Sequence, residues 1–117
     1  MHYRAAMLDP IAGDLERYMD LLSARQKLVA SNIANVDTPG YTTKDIDFQY
    51  EFANALGLPP TVVGVSGLPV RNDGNNVNLD RESRLLAENA LRFQVATSLL
   101  RSDITNVKAA IDEGKSS

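Results

Sequence analysis

Apolar residues recur along this chain in two helical rhythms, separated by a stretch that has neither. Over residues 11–36, at about 100° per residue, Leu15, Tyr18, Met19, Leu22, Val29, Ile33 and Val36 fall on one face, with Gln26 among them. Leu21 and Leu28 make a second, narrower apolar strip beside it. The pattern predicts an amphipathic helix, with Asp14 and Glu16 in or near the first turn, where the helix dipole favours negative charge. Over residues 79–113, Leu86, Ala90, Phe93, Thr97, Leu100, Ile104, Val107 and Ile111 alternate steps of four and three without a break. This a/d repeat runs for nearly four heptads and predicts a longer helix. Leu85, Ala96 and Leu99 give that helix a second apolar edge. On roughly the opposite face, Asp80, Arg84, Glu88 and Arg92 form a ladder of alternating charge that marks the solvated side; each pair contributes only ~0.2–0.5 kcal/mol. Gly114 stands where a C-terminal glycine is expected.

Between the two helices the character changes. Residues 37–78 hold four of the five prolines and five of the seven glycines, so long regular elements cannot persist there. DIDFQYEFANALG, 45–57, supports two readings. Ile46, Phe48, Tyr50 and Phe52 alternate with polar residues as in a half-buried strand, while Phe48, Phe52, Ala55 and Leu56 ahead of Gly57 fit a short helix, the reading preferred here. LPPTVVGVSGLPV, 58–70, reads as extended and mobile. In VRNDGNNV, 70–77, Asp73-Gly74 between Val70 and Val77 signals the turn of a short hairpin.

The expected architecture is mainly α: long N- and C-terminal helices in an antiparallel, coiled-coil-like pair, joined by an irregular Pro/Gly-rich middle segment with a possible short helix or hairpin. Residues 1–36, 37–78 and 79–117 are its three regions, within one structural unit. Helices of about 39 and 50 Å give each other one partner and have more apolar face than one partner covers. The 86–111 stripe is either the core of an intramolecular hairpin or a surface for other subunits, and its length favours the second. Such helices are marginal alone, so the isolated chain is expected to be partly disordered.

Composition narrows the chemistry. Net charge is −3, and the 12 Lys and Arg are scattered, without the basic stripe that nucleic-acid binding needs. Without cysteine there is neither a disulfide framework nor a thiolate metal site. His2 is the only histidine and sits next to the start, which leaves a Ser-His-Asp arrangement or a histidine metal site little to build on. The carboxylate pairs Asp45/Asp47 and Asp80/Glu82 are read as helix caps or first-turn charges. A calcium loop beginning at Asp73 fails because Arg84 occupies the position that needs an acid. The glycines are isolated rather than arranged as a phosphate-binding loop. No catalytic, cofactor-binding or metal residue is assigned, and an enzyme is not expected. The first residues, MHYRAAMLDPIAGDLE, lack the apolar run of a cleavable secretory leader, and no run approaches the ~18 apolar residues of a membrane span.

One stretch resists explanation as ordinary helix: SNIANVDTPGY, 31–41. Asn32 and Asn35 compete with a helical backbone for hydrogen bonds. Thr38-Pro39-Gly40-Tyr41 fits a type II turn, proline presetting φ at the second position and glycine supplying positive φ at the third. SARQKLVASNIANVDTPGY resembles the N-terminal signature of the bacterial flagellar axial proteins, the rod, hook and filament-junction family. DIDF, RNDGNNVNLDRE and LAENALRFQ are similar to its proximal rod members, in the same order. Asn78 stands where that family often has Asp, and Lys44 follows Tyr41 later than its usual basic residue.

The resemblance implies a structural rod subunit that transmits motor torque and needs no cofactor. It would be exported by the flagellar type III system without a cleaved leader and built into a helical oligomer in the periplasmic space. The implied partners are further copies of itself, FlgC-like rod subunits, a FliE-like adaptor and the export gate. Leu15, Leu22, Val29, Ile33, Leu86, Ala90, Phe93, Leu100, Ile104, Val107 and Ile111 would form the subunit interface. Asn32 and Asn35 would fix register by bonding neighbouring subunits' backbones, and Thr38, Pro39, Gly40 and Tyr41 would set how the chain leaves the first helix. A different rod protein of the same family, FlgC-like, and a cytoplasmic helical adaptor are the alternatives.

Overall fold

A computed structural model describes residues 10–54 and 58–116. The elements in chain order are α1 (Pro10–Ala34), β1 (Lys44–Ile46), α2 (Phe48–Ala53), β2 (Val62–Gly64) and α3 (Leu79–Ser116). Pro10 opens α1, where its missing N–H is no loss, so Asp14 and Glu16 lie beyond the first turn rather than in it. Asn78 caps α3: its side-chain oxygen accepts from the Arg81 N–H at 3.0 Å and its carbonyl from the Glu82 N–H at 3.0 Å. The helix runs through Gly114, which has no positive φ. The expected glycine cap at 114 is therefore a helical residue instead.

The two long helices pack together. Asn32 reaches Glu82 and Gln26 meets Asn89, so the numbers fall on one helix as they rise on the other: the pair is antiparallel. At 25 and 38 residues, α1 and α3 are about 38 and 57 Å long, and the principal extents are 71 × 25 × 20 Å. The radius of gyration is 18.9 Å, against about 13 Å for a compact domain of this length. The molecule is a rod-like hairpin with a small αβ knob near one end.

That knob resolves the ambiguous middle. Both readings of 45–57 hold in part, because β1 ends at Ile46 and α2 starts at Phe48. Asp47 caps α2 by accepting from the Tyr50 N–H. Ala55, Leu56 and Gly57 lie outside the described residues. Segment 58–70 is extended as expected, yet it is paired: β2 lies antiparallel to β1, with Asp45 opposite Val63. The turn in 70–77 forms as a three-residue loop closed by the Arg71 N–H on the Asn75 carbonyl (2.9 Å), with Gly74 at φ +84°. No strands extend from it among the described residues. Among those residues, too, no helix is long and apolar enough to cross a membrane.

The main face of α1 is buried as its pattern predicts, with Leu22 and Val29 in the core. Leu21, on the second strip, is fully buried as well, and Tyr18 stacks edge-on against Phe48 and Phe52 of α2. On α3 the outcome differs from the sequence pattern. Its buried positions are Glu82, Leu85, Asn89 and Ala96, a seam turned about 60° from the a/d stripe.

Candidate assembly surface and the polar clamp that orients it

Start with the turn. Tyr41 N–H donates to the Thr38 carbonyl at 3.2 Å and Gly40 has φ +75°, the type II geometry that Thr38-Pro39-Gly40-Tyr41 predicts. The Gly74 turn is pressed against it. Gly40 N–H donates to the Asp73 carbonyl at 2.8 Å, and a Cβ on Gly74 would sit 3.3 Å from the Gly40 Cα. Two turns 34 residues apart thus meet in one close contact, at a Gly74 whose positive φ favours glycine.

Asn75 fastens them. Its amide donates to the carbonyls of Asn35 and Thr38, both at 2.9 Å, and its oxygen accepts from the Val77 N–H at 2.8 Å. Arg71 donates to the carbonyls of Val36 and Val77. The Thr43 N–H donates to the Asn76 side chain at 2.6 Å. Asn75 and Thr43 are fully buried, where an unpaired amide or carbonyl is expensive, so these bonds hold the end of α1 against the lead-in to α3.

Asn32 answers the question raised by SNIANVDTPGY. It is fully buried and bonds both backbone groups of Lys44, accepting from its N–H at 3.1 Å and donating to its carbonyl at 2.8 Å. A neighbouring strand would make the same pair of contacts, so Asn32 closes this edge of β1. It also donates to Glu82 at 2.6 Å and accepts from the Tyr41 hydroxyl at 3.0 Å. Asn35 donates to the Ser31 carbonyl and accepts from the Thr38 hydroxyl, tying off the helix end. Asn32 therefore spends its hydrogen-bonding capacity inside the chain, while the half-buried Asn35 uses one donor and its oxygen on its own helix end.

Next to Asn32 lies an ionic cluster that the sequence reading missed. Asp45 accepts a two-pronged bond from Arg25 at 2.9 Å and another from Arg81 at 2.6 Å, while Arg81 also reaches Glu82 at 2.7 Å. Two cations and two anions join α1, β1 and α3. Burial alone would raise the Asp45 pKa, but the Arg25 bond, the Ile46 N–H and Arg81 outweigh it and hold the carboxyl below its ordinary value. Burial pulls the Arg81 pKa down, and Glu82 and Asp45 together push it up further. Of the pair expected as helix caps or first-turn charges, Asp47 caps α2, while Asp45 lies in β1 and belongs to this cluster. Among the described residues, no three metal-ligating side chains converge.

With the clamp fixing the rotation of α3, its apolar stripe faces outward. Leu86, Phe93, Ile104 and Ile111 remain 37–44 % exposed, Ala90 is also exposed, and Leu100 and Val107 are half-buried along the edge. Ala90 and Phe93 line a groove with Leu22, Ser23, Gln26 and Asn89. On α1, by contrast, Leu22 and Val29 are fully buried and Leu15 and Ile33 half-buried within the chain. The proposed interface residues therefore divide into core positions on α1 and surface positions on α3.

A family model described as "Flagella basal body rod protein" matches residues 19–42, which span the second half of α1 and the turn that the clamp secures. Among curated relatives, "Flagellar basal body rod protein FlgB" of Escherichia coli (strain K12) is 32% identical over an alignment covering 92% of this chain and 99% of that protein. Proteins of the same description from Yersinia ruckeri (28% identical; 92% of this chain, 100% of the relative) and Borrelia hermsii (29%; 81% and 90%) also match. With likeness at that identity and coverage over nearly the whole chain, this protein belongs to the flagellar basal body rod protein FlgB family.

Proposed function

We propose how the chain does its work as a structural subunit of the flagellar basal body rod: it is built in through the outward stripe of α3, with the clamp setting the angle at which that stripe is presented. The observation that carries this is the exposure of Leu86, Phe93, Ile104 and Ile111 on a helix that otherwise packs in an orderly seam. Covering what remains exposed of each is worth roughly 0.5–1 kcal/mol. The sum is small beside the cost of association, so one such contact is weak and a many-subunit assembly is stable.

On this reading the subunit assembles with copies of itself and with FlgC-like rod subunits, next to a FliE-like adaptor and the export gate. It is exported by the flagellar type III system and acts in the periplasmic space. A clamped hairpin also suits torque transmission, because Asn32, Asp45, Arg81 and Glu82 resist rotation of one helix about the other. The test is a Phe93→Asp/Ile104→Asp double variant in a strain lacking the native subunit. Its helical circular dichroism should match wild type while swimming and rod assembly are lost. Normal swimming would overturn the assignment of this surface.

A further inference from the structure

The two edges of the small sheet are finished differently. Asn32 closes the outer edge of β1, because Lys44 turns its N–H and carbonyl toward α1. Bonding sides alternate along an antiparallel strand, and the Val65 N–H bonds the Thr43 carbonyl. Val62 and Gly64, opposite Ile46 and Lys44, therefore aim their N–H and carbonyl groups away from β1. Among the described residues the sheet has no third strand to meet them. Residues 61–66, TVVGVS, carry neither charge nor proline, the usual guards of a free edge, and Val62 and Val63 are 51 and 39 % exposed.

Beside Val62 opens a groove of about 490 Å³, whose apolar lining includes Ala24 and Leu28 of α1 and Ile46 of β1. Asp20 and Lys27 line it too; both are exposed, and neither forms an ion pair among the described residues. They stand about 10 Å apart along α1. Side chains on one face of an added strand recur about every 6.7 Å. Residues four apart in such a strand therefore reach both charges, with one side chain between them over the apolar lining. Leu28 and Ile46 share the groove while Asn32 bonds Lys44, so β1 runs against α1 and β2 runs with it. An antiparallel addition, the more stable kind, then runs against α1 and passes Lys27 before Asp20.

We propose that the free edge of β2 takes up an extended segment of a different protein as a third, antiparallel strand. Its groove-facing side chains are an acidic residue for Lys27, an apolar residue two positions on, and a basic residue for Asp20 two beyond that. Main-chain bonds at Val62 and Gly64 supply affinity, and the groove supplies the choice of side chains. A second copy of this chain fits less well, since its own β2 offers no charge to Lys27 or Asp20. No residue of α3 lines the groove, so this site stands apart from the stripe and does not depend on it.

The test is a nuclear magnetic resonance titration of the full ¹⁵N-labelled chain with the peptide Thr-Glu-Thr-Val-Thr-Lys-Thr, and with the same peptide after its Glu and Lys are exchanged. The first should shift the Val62 and Gly64 amides saturably, and the second should bind roughly tenfold more weakly, two attractive pairs having become repulsive. The variant Asp20→Lys/Lys27→Glu should reverse that preference; both positions are exposed, and circular dichroism checks that its helicity is unchanged. Equal affinity for the two peptides, or shifts that spare Val62 and Gly64, would overturn the proposal. So would no binding at millimolar peptide. A peptide of residues 61–66 that binds as tightly as the first would overturn it in favour of a second copy as the occupant.

Discussion

Replacing Asn75 by alanine separates the clamp from the helices it orients. The side chain is fully buried and serves three backbone groups: the carbonyls of Asn35 and Thr38 and the N–H of Val77, at 2.8–2.9 Å. A buried group left unpaired costs about 1–3 kcal/mol. The Asn35 and Thr38 carbonyls each keep a backbone donor, the Thr38 and Tyr41 N–H groups, so the Val77 N–H is the group that bears the full cost. The expected loss is about 1–3 kcal/mol, an appreciable part of the roughly 6–18 kcal/mol that a chain of this length commands. It should lower the Tm by about 5–10 °C, read by circular dichroism at 222 nm, with helicity at low temperature unchanged. Asn75→Asp should be at least as damaging. It keeps the acceptor for Val77 but sets carboxylate oxygens against two carbonyls. A Tm within 3 °C of wild type for both variants would refute the claim that Asn75 holds the two turns together.

Three further outcomes follow from the same geometry. Because the folded-state pKa of Asp45 is depressed, its contribution to stability is present above the unfolded carboxylate value near 3.9 and is lost as pH falls through the lower folded value. Urea titrations should show Asp45→Asn less stable than wild type at pH 6 and the difference shrinking toward pH 2; a constant difference would contradict the cluster. Gly74→Ala should cost at least about 1–2 kcal/mol, since φ is +84° and the new Cβ would press on Gly40. Gly13→Ala, inside α1 where a Cβ meets nothing within 4 Å among the described residues, should stabilise by about 0.5–1 kcal/mol; equal effects at the two glycines would count against the turn-on-turn contact.

Which features could be read from sequence depends on what kind of physics wrote them. Periodicity placed α1 and α3 within a few residues, because each has an apolar stripe on the helical repeat. Thr38-Pro39-Gly40-Tyr41 and Asp47 were legible because a turn and a cap are local. The face of α3 that meets α1 was legible only in part. Leu85 and Ala96 of its buried seam belong to the second apolar edge, whereas Glu82 and Asn89 are polar residues that a hydrophobic pattern passes over. The conspicuous stripe stays at the surface of the chain. The β1–β2 pairing and the Asn75 clamp each join segments far apart in sequence, and neither Val62-Val63 nor Asn75-Asn76 signals its partner. Asn32 and Asn35 were recognised as out of place in a helix. What they bond depended on a strand and a turn that only the folded chain brings beside them.

The absence of cysteine from the sequence makes the most direct measurement clean. A single cysteine at Ile104, on the α3 stripe, is reacted with a maleimide in the free chain and in purified basal bodies. Neighbouring subunits covering the stripe should slow labelling at least tenfold in the basal body relative to the free chain. Equal rates in the two would mean that this surface stays open to solvent in the assembled rod, and that the subunit is held there by some other face.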